Sequence, residues 1–196
     1  MTILNQAFFA QPTLTVARAL LGKRLVRELD GQRLDGLIVE TEAYIGPQDS
    51  ANHASKGRTN RTEVMFGPAG HAYIYLIYGM YFMLNIVTEA AGFPAAVLIR
   101  AVEPQSGLDI MRQNRLNTPG RNLTNGPGKL CRALGIDQSL HNWDLTLGQE
   151  LWLEAGGPLP DSAIIAGPRV GIGYARPADQ SAPWRFWIKG NRFVSR

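Results

Sequence analysis

Two glutamates one residue apart carry the clearest acid–base chemistry in this chain. They lie in Val39-Glu40-Thr41-Glu42-Ala43-Tyr44. Side chains alternate along a strand, so Glu40, Glu42 and Tyr44 share one face, and Val39, Thr41 and Ala43 take the other. Cleaving a glycosidic bond needs a carboxylate that stabilises oxocarbenium-like charge and activates water. Two solvated glutamates on an exposed edge fit the same pattern, which alone does not choose between them.

An aromatic run follows. Ala72 to Val87 is aromatic and β-branched and is broken once, at Gly79. That predicts a β-hairpin turning at Tyr78-Gly79-Met80. Tyr73, Tyr75 and Ile77 fall on one face, Ile74, Leu76 and Tyr78 on the other, with Tyr78 at the tip. An aromatic at a tip is badly placed to fill a core and well placed to wedge into a base stack. Stacking a base on an aromatic ring contributes about 1–3 kcal/mol.

Asn125-Gly126-Pro127-Gly128-Lys129-Leu130 opens a short helix. The free amides around Gly126 and Gly128, with Lys129, suit a phosphate; a plain Gly/Pro helix cap has the same composition. The segment lacks Walker spacing, and Gly171-x-Gly173 lacks the third glycine of a dinucleotide fingerprint. His53, His71, His141 and Cys131 have no zinc-ligand spacing. There is no Gly-x-Ser-x-Gly elbow. No metal and no cofactor are expected.

The elements that must position these residues are short. A helix is expected over Val16–Leu21, with Thr13 or Thr15 as N-cap and Gly22 at its end. Strands are expected at Lys23–Leu29 and Leu34–Tyr44 around an Asp30-Gly31 turn. Residues 46–71 read as a long polar loop of the kind that carries function. Ala95–Val102 predicts a strand, Leu108–Arg115 a helix, 116–127 a basic loop and Gly128–Leu134 a helix ended by Gly135. Further strands are expected near 150–154, 169–174 and 184–189. Without a βαβ rhythm this is an α+β fold: one domain over 1–196, with a curved mixed or antiparallel sheet, flanking short helices and a protruding aromatic hairpin.

Composition bounds the class. The 196 residues suffice for one substantial core, and 45% hydrophobic with 18% charged residues is ordinary for a globular domain. No apolar run reaches the roughly 18 residues of a membrane helix. No secretory signal is apparent, and a single cysteine excludes an intramolecular disulfide. A cytoplasmic, nucleoid-associated location in a bacterial cell is expected. The net charge of +4 is a modest basic excess, but 16 of the 20 basic residues are Arg. Arg favours forked contacts to phosphate or carboxylate; a GC-rich genome gives the same bias.

Taken in order, several segments resemble one family. They are Val39 to Tyr44, Tyr75-Leu76-Ile77-Tyr78-Gly79-Met80-Tyr81 with Asn85, Leu98 to Pro104, Gly126 to Cys131, and Arg169-Val170-Gly171-Ile172-Gly173. The chain is similar to the alkyladenine (3-methyladenine) DNA glycosylases of the mammalian type, also present in bacteria, from Phe8-Phe9 to Arg185-Phe186-Trp187. The resemblance implies a monofunctional glycosylase acting as a monomer on double-stranded DNA that contains damaged purines. It implies that Glu42 activates the attacking water, held also by Arg100 and the main-chain carbonyl of Val170. It implies that Tyr44, His53 and Tyr75 enclose the flipped base while Asn85 disfavours guanine. Tyr78 would fill the gap left in the duplex, flanked by Met80 and Tyr81. Glu40 matches a position without a catalytic role. The loop at 56–64 departs from the family in length and sequence, and Met83 stands where mammalian members often carry cysteine.

Two other classes remain open: a non-catalytic nucleic-acid-binding module, which would not need Glu42, and a nucleoside N-glycosidase, which would not need an exposed Tyr78.

Overall fold

The computed structural model describes residues 2–157 and 159–195. It opens with α1 (Gln6–Phe9) and α2 (Thr13–Ala19), then the hairpin β1 (Arg24–Leu29) and β2 (Gln32–Ile45). After the loop come the hairpin β3 (Ala72–Ile77) and β4 (Tyr81–Val87), then β5 (Ala95–Ser106), α3 (Leu108–Asn114) and α4 (Pro127–Leu134). The chain ends with β6 (Leu151–Glu154), β7 (Ile164–Gly167), α5 (Pro177–Ser181) and β8 (Arg185–Ile188).

The eight strands form one open sheet in the order β3-β4-β5-β2-β1-β6, with β8 pairing both β2 and β7. Every pairing is antiparallel, which settles the mixed-or-antiparallel alternative. β2 is the spine, because it pairs with β1, β5 and β8 along its length. The β1–β2 turn is Asp30-Gly31, with Leu29 opposite Gln32 and positive φ at both turn residues. A two-residue loop of that shape matches the strand twist.

The main core lies between the sheet and helices α2, α3 and α4. In α4, Leu130, Cys131, Ala133 and Leu134 are buried, Pro127 starts the helix, and Gly135 ends it in the left-handed region. Burying each such leucine contributes about 2 kcal/mol. Burial also pushes the Cys131 thiol up to about 12. No helix among the described residues is long and apolar enough to cross a membrane.

Three local expectations need correction. The first long helix starts at Thr13, and its N-cap is Pro12, which offers no side-chain bond. The Thr13 hydroxyl is instead engaged with Thr88 and Glu89 across the fold. Residues 169–174 are irregular, and the strand lies earlier, at Ile164–Gly167. Buried Arg169 and the positive φ of Gly171 pull the later segment out of the sheet. The loop 46–71 carries 3-10 turns at His53–Lys56 and Glu63–Phe66, in keeping with its turn-rich sequence.

The third correction concerns Val39. It does not share a face with Thr41 and Ala43. Ile38 pairs with Val102, Glu40 with Ala101 and Thr41 with Ile99. Val39 on β2 and Arg100 on β5 are therefore each one residue too many, and each strand carries a bulge. Ile38 and Ala43 both face the main core, while Val39 packs with Ala101 and Phe193 in a separate cluster. A bulge re-aims the side chains beside it.

Candidate active site

Glu40, Glu42 and Tyr44 do lie together, at and just after the bulge, and both glutamates are fully buried. On the opposite face the Thr41 hydroxyl donates to the Ala17 carbonyl at 2.8 Å and pins β2 to α2. Buried carboxylates need partners. Glu42 Oε1 accepts from the Val170 amide at 2.7 Å and faces Arg100 NH1 at 3.2 Å. Its Oε2 accepts from the Tyr44 hydroxyl at 2.9 Å. An ionised carboxylate offers about four acceptor positions. Three are engaged, which leaves one on Oε2.

Glu40 differs. Its Oε1 accepts from Arg100 Nε (2.8 Å), Arg185 Nε (2.7 Å) and the Ser195 hydroxyl (2.8 Å), and its Oε2 from the Ser195 amide (2.6 Å). Four donors from three residues thus meet this carboxylate, three of them on Oε1. The geometry thus separates two glutamates that the strand pattern could not.

Arg169 fixes the segment that carries Val170. Its guanidinium grips Asp49 through two bonds, at 2.6 and 2.8 Å, with both side chains fully buried. It also donates to the Ala43 carbonyl and lies over the Tyr44 and Trp184 rings.

Tyr44, His53, Tyr75 and Asn85 line one cavity of about 30 Å³, with Tyr73 and Tyr174 in its wall. That is room for about one water. β3 and β4 set this wall: Tyr73 pairs with Asn85, whose Nδ2 donates to the Tyr73 carbonyl at 3.1 Å. His53 arrives from the loop. Its Nδ1 lies 3.0 Å from the Tyr73 hydroxyl, and its ring meets Tyr75 edge-on at 4.6 Å. Burial, reinforced by the Arg61 charge, lowers His53 to about 4, so the ring is neutral at physiological pH. Burial and then the neighbouring Glu42 charge raise Tyr44 well above the usual phenol range, which keeps its hydroxyl a donor. Burial likewise raises Tyr75.

The hairpin tip stands clear of this pocket. Tyr78 is 82% exposed and Met80 66% exposed, with Tyr81 beside them. Tyr78 (φ +53°) and Gly79 (φ +68°) make a tight turn closed by the Met80 amide on the Ile77 carbonyl. A bulky residue in the left-handed region stores strain of about 1–3 kcal/mol, and such strain gathers at functional positions. Gly126, Gly128 and Lys129 lie against the hairpin stem with Tyr81, Met83 and Arg115, lining a groove of about 340 Å³. A Cβ on Gly128 would sit 3.0 Å from that of Tyr81. This glycine thus lets α4 approach the hairpin. Lys129 Nζ donates to Asn125 Oδ1 at 2.8 Å.

Among the expected residues, Glu42, Arg100, Val170 and Tyr44 converge at the carboxylate. His53, Tyr75 and Asn85 join Tyr44 around the cavity. Val170 meets Glu42 through its amide. Tyr78, Met80 and Tyr81 form a separate projection, as do Gly126, Gly128 and Lys129 at its base. Sequence reasoning missed Tyr73, Tyr174, Arg61 and Arg169. Alternation with Tyr75 pointed to Tyr73. Arg61 and Tyr174 come from irregular segments and left no periodic signal. Arg61 lies over the Tyr75 ring at 4.9 Å.

A buried carboxylate is bonded to the wall of an aromatic cavity, and an exposed aromatic hairpin stands clear of both. The sequence profile of the methylpurine-DNA glycosylase family matches residues 7–192. The chain is 50% identical over 196 residues to a protein of Myxococcus xanthus, covering all of this chain and 95% of the relative. It is 51% identical to a protein of Methanocella arvoryzae over all of this chain and 97% of the relative. It is 48% identical to one of Bacillus cereus (strain ATCC 10987 / NRS 248) over 97% of each. Each of these bears the name "Putative 3-methyladenine DNA glycosylase". The chain belongs to the methylpurine-DNA glycosylase family and is a DNA glycosylase.

Proposed function

We propose that this protein excises damaged purines, of the 3-methyladenine, hypoxanthine and ethenoadenine class, from duplex DNA, and that it does so as a monomer. The observation that carries this reading is the bond from the Tyr44 hydroxyl to Glu42 Oε2, which ties the carboxylate to the cavity wall. Phosphate contacts supply salt-sensitive affinity. Tyr78 enters the duplex from the minor-groove side with Met80 and Tyr81, and the damaged nucleotide swings out. A weakly paired base flips at lower cost.

The purine lies among Tyr44, His53 and Tyr75, beside Asn85. Neutral His53 accepts a cationic methylated base without charge repulsion. Glu42 takes a proton from water through Oε2, and Arg100 and Val170 hold its other oxygen. Water attacks C1′ as the base leaves, and the carboxylate stabilises the developing sugar cation. A cationic methylated base leaves as a neutral molecule, whereas a neutral base such as hypoxanthine leaves as its anion and takes up a proton from solvent; the products are a free base and an abasic site. An exposed Tyr78 serves a duplex and has no use with a free nucleoside.

The test is single-turnover release of hypoxanthine and of 3-methyladenine from labelled duplexes by wild type and Glu42→Gln. Wild type is expected to give breaks only after alkali, and the variant to bind but lose roughly 10²–10⁴-fold in rate. A borohydride-trapped adduct would replace this mechanism with an amine nucleophile. No release from either duplex would return the chain to the binding-module class.

A further inference from the structure

Arg100 is shared between two buried carboxylates. Its Nε donates to Glu40 Oε1 at 2.8 Å, its NH2 to the Ser195 hydroxyl at 3.1 Å, and only NH1 reaches Glu42 Oε1, at 3.2 Å. Arg185 also gives its Nε to Glu40, at 2.7 Å. Ser195 closes over Glu40 with its amide and its hydroxyl. The better half of the Arg100 guanidinium is thus committed away from Glu42.

We propose that Glu40 is a positioning residue that holds Arg100 back from Glu42 and so keeps Glu42 basic enough to take a proton from water. The inference rests on the reading of Glu42 as the base. A guanidinium free to pair fully with Glu42 would stabilise its ionised form and weaken it as a base. Glu40 prevents this in two ways: it occupies Arg100 Nε, and its own negative charge faces the same guanidinium. The other groups around Glu42 do not compete for this role. Arg169 is engaged with Asp49 and Arg185 with Glu40. Tyr44 donates to Glu42, and Tyr75 and Tyr174 act on it only at longer range. The Ser195 contacts extend the device to the end of the described chain.

The experiment is the single-turnover rate against pH on one lesion duplex for wild type and Glu40→Gln, with duplex affinity measured alongside. The expected result is a rate plateau at least about 10-fold lower, an acid limb moved down by about one pH unit, and duplex affinity within about 2-fold. An unchanged plateau and limb would overturn the proposal while leaving Glu42 as the base. A wild-type profile without an acid limb would instead fail the reading of Glu42 itself. If Glu40→Gln does not fold, the double variant E40Q/R185Q removes one charge of each sign from this pair and is read the same way. If that also unfolds, Glu40 is a structural counterion and the proposal falls.

Discussion

The main-chain amide of Val170 donates to Glu42 Oε1 at 2.7 Å across 128 residues of sequence. Nothing local holds Val170 there; the neighbouring Arg169 does so, through its buried pair with Asp49. Replacing Arg169 with Gln leaves Asp49 buried and unpaired, which costs roughly 3–5 kcal/mol. Urea unfolding should report that loss, and the folded fraction should still release base more slowly, because Glu42 loses its anchor. A variant as stable as wild type would contradict this account.

Tyr78 should behave in the opposite way. Its side chain is exposed, so Tyr78→Ser should leave stability within about 0.5 kcal/mol. On the proposed insertion, losing the ring should weaken lesion-duplex binding by about 1–3 kcal/mol, on the order of 5- to 150-fold. Equal affinity of the two proteins for a lesion duplex would remove Tyr78 from the flipping step.

The cavity among Tyr44, His53 and Tyr75 holds about one water's volume, so a purine needs a wall to move. Tyr174 is the exposed part of that wall, just after Gly171 and Gly173, and is held by one bond from its hydroxyl to the Ala51 carbonyl at 3.1 Å. Tyr174→Ala should speed base entry, read as a faster stopped-flow phase on a duplex with a fluorescent purine. An unchanged phase would assign the opening to another wall.

His53 ties stability to pH. Its folded value is about 4 against an ordinary 6.5, because burial disfavours its charge and Arg61 adds to the effect. Between those values the unfolded chain binds more protons, so stability rises with pH in that window. Its contribution is complete above 6.5 and is lost as pH falls through about 4. His53→Gln should flatten this part of a urea-midpoint profile; an equally steep profile would place the titration elsewhere.

The hairpins and the core-facing helices were legible because their signals are local and periodic. Asp30-Gly31 and Tyr78-Gly79 both turn where their residues demand it, and the buried stripe of α4 ends at its glycine. Glu42 was legible as a carboxylate beside a tyrosine, and its distinction from Glu40 came first from resemblance. The physical distinction depends on Arg185 and Ser195, which arrive from the far end of the chain. Local periodicity carries no trace of such partners. The strand expected at 169–174 failed for the same reason: Asp49 claims Arg169 from outside the segment. Pocket residues on irregular loops, Arg61 and Tyr174, leave no pattern to read.

The paired bulges restrict how this chain can change in length. Val39 and Arg100 each add one residue at matched points of two neighbouring strands. Losing both would restore a plain ladder, but it would also remove buried Val39 and the Arg100 guanidinium between Glu40 and Glu42. Losing one alone would slide residues 41–45 against 95–99 by a step and break the match of their faces. The register thus ties the length of one strand to that of its neighbour, and the charge of Arg100 ties both to the carboxylates.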